Sequence, residues 1–410
     1  MLRRLRLIRR FRALVRADPA GVKAGFVALL LSSGGDLLAG LTLGSITGTL
    51  KELPGLLVLV PAAIGMRGNI FGALGSRLGT AIHAGTFRLS ARRDTVVGQN
   101  LAASVALSLS ISVVLAVLAK TMSVGFGLDH TISIADFVVI SVLGGVLSSA
   151  VVLAITVGVA ALSVRRGWDL DNVAAPIVTA AGDMVTLPTL FVATYLVGFD
   201  VVTPVIAVLC AAIGLVAMIV AIRSHLPILA RIVRESIPVL AIAGFVDIVA
   251  GLTIEKRFSS FLVYPALLVL VPPFLEDSGS LGSILSARVS TKLHLGIIDP
   301  ARSAFRAVAD DVLLVYVYAI PVFLFLGISS DVVSAIVDLR SPGALDMIAV
   351  SMLAGLLATT CAVVIGYYGA VSAQRLGLDP DSHGVPIVTS SLDLLGALSL
   401  ILAIVILGLT

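Results

Sequence analysis

Long apolar runs, separated by short polar segments, follow one another along nearly the whole chain. Each run is long enough to cross roughly 30 Å of hydrocarbon as an α-helix. The runs are continuous rather than alternating, so a transmembrane β-barrel is not expected. The breaks between them predict eleven membrane-spanning helices, at residues 22–49, 54–76, 97–120, 134–162, 174–197, 202–222, 236–254, 260–285, 308–328, 344–372 and 386–408.

The chain also repeats itself around lone aspartates that lie inside apolar runs. A shift of 211 positions aligns the early part of the two copies, and one inserted residue then changes the shift to 210. Chance does not produce such a series, because it includes rare polar residues of a chain that is only 13% charged. The sequence therefore predicts two homologous halves. Matched pairs include Asp36 with Asp247, Gly40 with Gly251, Pro61 with Pro272, Arg77 with Arg288, Pro176 with Pro386, and Asp183 with Asp393.

Each copy holds five predicted spans, so two copies fused directly would face opposite ways in the membrane. The unpaired run at 202–222 adds a sixth crossing and restores the parity. We therefore expect an all-α fold of two five-helix repeats in parallel orientation, at 20–198 and 226–410, joined by a linker transmembrane helix at 199–225. A cytoplasmic N-terminus and an outside C-terminus place 22 basic residues inside and 5 outside, which agrees with the positive-inside rule.

Composition supports this class of protein, because 58% of the residues are hydrophobic, against about 45 to 50% in soluble proteins. We expect a multi-pass protein of the cell membrane, surrounded by lipids. Residues 1–19 carry seven arginines with interleaved apolar residues, which predicts a basic amphipathic helix along an anionic leaflet. Nucleic-acid binding is not expected of these arginines.

Candidate chemistry centres on Asp183 and Asp393, near the middle of the fifth span of each copy. Thr179 and Thr389 precede them by four residues, so a carboxylate and a hydroxyl share one face of each helix. Two such faces that meet at a two-fold axis form an oxygen-lined, doubly negative site, which requires a cation. The alternative is that each aspartate is a structural group bonded to a neighbouring helix.

Other spans offer further oxygen ligands. Asp36 and Asp247 lie in the first spans, and the glycine one turn later would let another helix or a hydrated ion approach closely. Proline with clustered glycine and serine predicts that each second span is broken or unwound around a cavity. This span adds Asn69 in the first copy and Glu276 with Asp277 in the second. Such ligands suit a hard cation, and Mg²⁺ fits best, with Mn²⁺ or other divalent cations as substitutes.

Three motifs together resemble the MgtE-type magnesium channels and their eukaryotic relatives, the solute carrier family 41. They are P-x-x-x-G-x-x-G-N at 61–69, R-L-G-T-x-x-H-x-G at 77–85 and P-I-V-T-x-x-x-D at 176–183. In that family a five-span unit forms a two-fold dimer around a magnesium pore, and the aspartate of the fifth span coordinates the ion. The resemblance implies this role for Asp183 and Asp393.

The chain departs from the family pattern in two places. The bacterial channels carry cytoplasmic regulatory domains, whereas about twenty residues precede the first span here. In the second copy, Glu276, Asp277 and Ser278 stand where the first copy has the Gly-rich signature before Asn69. We therefore expect a different mode of gating and an asymmetric pore.

These observations predict a magnesium-selective divalent cation transporter that is not an enzyme and that works as a single, pseudo-dimeric chain. A sodium- or proton-coupled magnesium exchanger that uses the same carboxylates is the alternative. A transporter of lipids or other small solutes also remains open. An intramembrane enzyme is disfavoured, because the spans lack an H-E-x-x-H or G-x-S-x-G motif.

Overall fold

The computed structural model describes residues 19–128, 130–166, 170–299, 305–376 and 384–409. Within these ranges the chain is helical and contains no β-strand. The amphipathic segment predicted at 1–19 lies outside them, apart from its last residue. The helices are α1 (Pro19–Ser45), α2 (Thr47–Glu52), α3 (Leu56–His83), α4 (Val96–Gly125), α5 (Ile134–Arg166), α6 (Leu170–Thr194), α7 (Val202–Ile222), α8 (Pro227–Glu255), α9 (Phe258–Val263), α10 (Ala266–His294), α11 (Ala309–Ile336), α12 (Ala344–Leu376) and α13 (Val385–Ile406).

Ten helices of the described ranges are long and apolar enough to cross a membrane. Helix α10 is not among them, and its apolar first turns are followed by Glu276 and Asp277, although its 29 residues match the 28 of its counterpart α3. Every predicted span coincides with one of the eleven long helices. The prediction of an all-α, polytopic membrane protein is confirmed.

The second span of each half is a continuous helix, so the prediction of a broken or unwound segment there is wrong. Pro61 lies within six residues of the start of α3, and Pro272 and Pro273 lie within eight of the start of α10. A proline so close to the N-terminus removes few backbone hydrogen bonds. Burial of most apolar side chains of both helices then stabilises the remaining turns.

The first helix of each half packs against the second helix of the other half. Helix α1 packs on α10, and α8 packs on α3. Gly40 of α1 lies against the carbonyl of Val269, and Gly251 of α8 lies against the carbonyl of Val58. A β-carbon at either glycine would collide with that backbone, so the prediction of a closely approaching helix is confirmed. The two halves are interlocked by this pair of equivalent contacts.

The fifth helix of each half packs on the first and second helices of its own half. These contacts join α6 to α1 and α3, and α13 to α8 and α10. Helices α4, α5, α11 and α12 flank them, and the unpaired helix α7 packs on α4, α5 and α8. Helices α3, α6, α10 and α13 thereby come to surround a common centre.

Candidate cation pathway

A cavity of about 790 Å³ lies between the two halves, among α3, α6, α10 and α13. One face of α3 lines it from Ile64 to Thr80, a length of about 24 Å along the helix axis. Ser76 and Thr80, at one end, are exposed, so this end is the mouth of the cavity. The polar residues on its wall are Asn69, Ser76, Arg77, Thr80, Thr179, Asp183, Glu276, Ser280, Ser283, Thr389 and Asp393.

The two aspartates predicted to be central both lie on this wall. Asp183 is only 1% exposed, and no hydrogen-bond donor of the described residues reaches either of its carboxylate oxygens. Asp393, on the other half, is half-buried. The Thr389 hydroxyl donates to the carbonyls of Val385 and Pro386 at 3.0 and 3.1 Å, which leaves its oxygen lone pairs for a cation or water. Thr179 lies in the equivalent place beside Asp183.

Each central aspartate contacts the aspartate on the first helix of its own half. The carboxylates of Asp36 and Asp183 lie close enough to repel each other, and so do those of Asp247 and Asp393. Asp36 and Asp247 are fully buried and stand behind the cavity wall. Two carboxylates repel each other strongly in a medium of low dielectric constant. Each pair therefore needs a proton or a cation close by.

The remaining predicted ligands divide into two groups. Asn69 and Glu276 line the cavity. Asp277 is fully buried outside the wall that the described residues form, and its Oδ2 accepts a hydrogen bond of 2.7 Å from Ser33 of α1. Across the ranges that the structure describes, no three His, Cys, Asp or Glu side chains converge to enclose a metal ion. The spacing suits an ion that keeps several of its waters.

The inner end of the cavity is closed by apolar side chains. There it meets a small space of about 30 Å³, far less than the 790 Å³ of the cavity. We call its six apolar residues the apolar seal; they form three pairs related by 211 positions. Glu276, Asp393 and Gly65 border both this space and the cavity. The seal consists of Val60, Pro61 and Ile64 of α3 with Val271, Pro272 and Leu275 of α10.

Sequence reasoning missed the apolar seal and two arginines. The seal residues follow the same helical face as Gly65, and this continuity along one face was the available signal. Arg77 lines the mouth of the cavity, and its Nε donates to Asn100 at 2.8 Å. Arg67 is 1% exposed and donates instead to Ser148 and Ser112 of the flanking helices, at 3.1 and 3.3 Å. A lone arginine in an apolar run was the signal for this buried group.

A polytopic helical bundle with an acid-lined cavity between two interlocked halves defines a membrane transport protein for cations. The model of the MgtE family, described as a divalent cation transporter, matches residues 60–193 and 271–403, one segment in each half. These segments make up more than half of the chain, and the chain belongs to the MgtE family. It is a divalent cation transporter and not an enzyme.

Individual relatives lie in the solute carrier family 41. The chain is 26% identical over 404 residues to solute carrier family 41 member 2 of Xenopus laevis, across 90% of this chain and 69% of that protein. It is 26% identical over 403 residues to member 3 of Rattus norvegicus, across 90% of this chain and 84% of that protein. The human member 2 is likewise 26% identical, over 411 residues, with shares of 92% and 69%. No solved structure matches the chain. The family resemblance carried by the motifs is confirmed.

Proposed function

We propose that the protein transports Mg²⁺ between its two halves, with Asp183 and Asp393 as the central ligands. The main support is that these carboxylates reach one cavity from the two halves, while the oxygens of Asp183 meet no donor among the described residues. Two carboxylates attract a divalent cation twice as strongly as a monovalent one. Mn²⁺ and other divalent cations of similar chemistry would use the same oxygens.

The other oxygen-bearing side chains take supporting roles in this proposal. Asp36 and Asp247 raise the negative charge behind the central pair. Thr179, Thr389 and Asn69 hold the water shell of the ion, as Mg²⁺ retains several waters in most sites. Glu276 adds a carboxylate on the cavity wall. Asp277, bonded to Ser33, acts at a distance by fixing α10 on α1.

The proposal extends to the arrangement in the membrane. Residues 20–198 and 226–410 form two repeats with the same orientation, joined by a linker at 199–225, and the single chain is the functional unit within the lipids of the cell membrane. The paired contacts of α1 with α10 and of α8 with α3 support this arrangement. The distribution of basic residues supports a cytoplasmic N-terminus and an outside C-terminus, with the cavity mouth near Arg77 facing the cytoplasm.

Magnesium uptake into liposomes tests the central ligands. The purified protein is reconstituted around a Mg²⁺-sensitive dye, and Asp183→Asn and Asp393→Asn are compared with the unmodified chain. We expect each variant to lower the initial rate by about tenfold or more, because each removes one ligand charge. The control is Glu235→Gln, which removes a surface carboxylate that is paired with Arg231. Unchanged uptake in both aspartate variants would rule out the proposed site.

A coupled exchanger built on the same carboxylates is the second candidate. The apolar seal favours it, because a cavity that opens to one end and is closed at the other is what alternating access requires. The same liposomes separate the two mechanisms. An opposing Na⁺ or pH gradient accelerates Mg²⁺ uptake in an exchanger and leaves it unchanged in an uncoupled channel at fixed membrane potential.

A further inference from the structure

The two halves differ at one position beside the ion site. A shift of 211 positions aligns Gly65 of α3 with Glu276 of α10. Gly65 has little room for a side chain, since a β-carbon there would lie 3.0 Å from Oδ2 of Asp247 and 3.7 Å from Oδ2 of Asp393. At this position the first half therefore has a glycine without a side chain beside Asp247 and Asp393, and the second half has a carboxylate.

Glu276 connects the cavity with the apolar seal. Glu276 and Asp393 are the two carboxylates of the described residues that border both spaces. The charge of Glu276 interacts with Asp36 and Asp183 of the first half as well as with Asp393 of the second. Glu276 therefore lies between the two aspartate pairs, at the level where the pathway closes.

The unpartnered oxygens of Asp183 indicate that this place receives a cation. They are buried, they face the cavity, and no described donor reaches them. An ion at Asp183 and Asp393 has the apolar seal on its inner side, and Gly65 offers no side-chain ligand there. Among the described residues, Glu276 is placed to attract the hydrated ion from that direction.

We propose that Glu276 acts on the ion site as a third carboxylate, through the water shell of the ion, and that it determines the preference for divalent over monovalent cations. This inference rests on the proposed function and adds a residue that the first half does not have. Charge attraction scales with the valence of the ion, so one added carboxylate contributes twice as much binding free energy for Mg²⁺ as for K⁺. The second half therefore contributes one more carboxylate to the ion site than the first half does, although the surrounding helices occur in equivalent pairs.

Fluxes of Mg²⁺ and K⁺ in the liposomes test this role. For Glu276→Gln we expect the Mg²⁺ concentration at half-maximal uptake to rise about tenfold, and the ratio of Mg²⁺ to K⁺ flux to fall about threefold, because the monovalent ion loses half as much free energy. Glu276→Gly introduces the residue found at the equivalent position of the first half and should give the same two changes as Glu276→Gln. Glu276→Asp keeps the charge and should retain most of the preference. Glu235→Gln is again the surface control.

Two results would overturn the role of Glu276. One is an unchanged half-maximal Mg²⁺ concentration in both neutral variants. The other is an equal loss of Mg²⁺ and K⁺ flux, which a purely structural role would give. Asp183→Asn, measured beside them, separates this inference from the function on which it rests. If Asp183→Asn abolishes uptake while Glu276→Gln matches the unmodified chain, only the role of Glu276 fails.

Discussion

The guanidinium of Arg67 and the ring of Phe323 fill equivalent spaces in the two halves. Arg67 lies against Gly145, and Phe323 lies against Gly355, which is the counterpart of Gly145 at a shift of 210. A β-carbon at either glycine would collide with the side chain that faces it. A charged group in one half therefore occupies the volume that an aromatic ring occupies in the other.

This exchange involves two positions in each half. The first half has Arg67 and Ser112, and the equivalent residues of the second are Ser278 and Phe323. The backbone around them is alike, because Ser141 donates to the carbonyl of Ser112 at 2.7 Å, and the matching serine donates to that of Phe323 at the same distance. A large and a small residue have exchanged places, and the packing volume is kept.

The first prediction is that the first half remains stable when Arg67 and Ser112 are both replaced by the residues of the second half, serine and phenylalanine. Arg67→Ser alone should lower the free energy of unfolding by about 2–4 kcal/mol, because it leaves a cavity and unpaired serines. Ser112→Phe alone should cost about 1–3 kcal/mol through overpacking against Arg67. The double variant should lie within about 1 kcal/mol of the unmodified chain, because the two changes compensate. Chemical unfolding in detergent measures all three, and strictly additive losses would contradict the exchange of volume.

The second prediction concerns the two interlocking glycines. Gly40→Ala and Gly251→Ala should each lower the free energy of unfolding by about 1–3 kcal/mol, because the new methyl group meets a backbone carbonyl that cannot rotate away. Gly34→Ala on the same helix as Gly40 is the matched control, since no described atom lies within 4 Å of a β-carbon there. Thermal unfolding of the three variants decides the matter, and equal stability of Gly40→Ala and Gly34→Ala would refute the close contact.

The third prediction is that polar substitution opens the apolar seal. Ile64→Asn and Leu275→Asn should raise the passive K⁺ leak of liposomes about tenfold or more, because an apolar constriction excludes ions by staying dry. Leu275→Met keeps the volume and the apolar character and serves as the control. Since a misfolded protein would lose uptake rather than gain leak, a folded Asn variant with an unchanged leak would speak against the seal.

The fourth prediction is that Mg²⁺ stabilises the folded protein through the two central aspartates. At 100 times its dissociation constant, a bound ion should add about 2.7 kcal/mol to the free energy of unfolding. Asp183→Asn and Asp393→Asn should lose most of this gain, whereas Glu235→Gln should retain it. Unfolding temperatures measured with and without Mg²⁺ provide the comparison, and an equal gain in all four proteins would place the ion elsewhere.

Hydropathy located the long helices but reports only the part of each helix that is apolar. The span predicted at 202–222 matches α7 at both ends, because that run contains no charged residue. The span predicted from 236 belongs to a helix that begins at Pro227. The extra turns carry Arg231 and Glu235, whose exposed side chains pair at a spacing of four residues. Helices that extend beyond the apolar segment are not visible in hydropathy.

The candidate site could be predicted in its residues and only partly in its geometry. A lone aspartate in an apolar run is conspicuous because burying it is costly, so Asp36 and Asp183 were apparent from the sequence. Their mutual contact was not, since helical periodicity does not say which helices become neighbours. Val60 and Ile64 were missed for the opposite reason: seal residues have the same composition as residues that face lipid or the core.

The contact of Gly40 with Val269 has a consequence for biosynthesis. About 230 residues separate these two positions, so α1 leaves the ribosome long before the helix that it packs against. At synthesis rates of about 5–20 residues per second, this interval lasts roughly 10 to 45 s. During that time the nascent first half holds Asp36 and Gly40 without their final neighbour. Final assembly must therefore wait until the second half has been inserted.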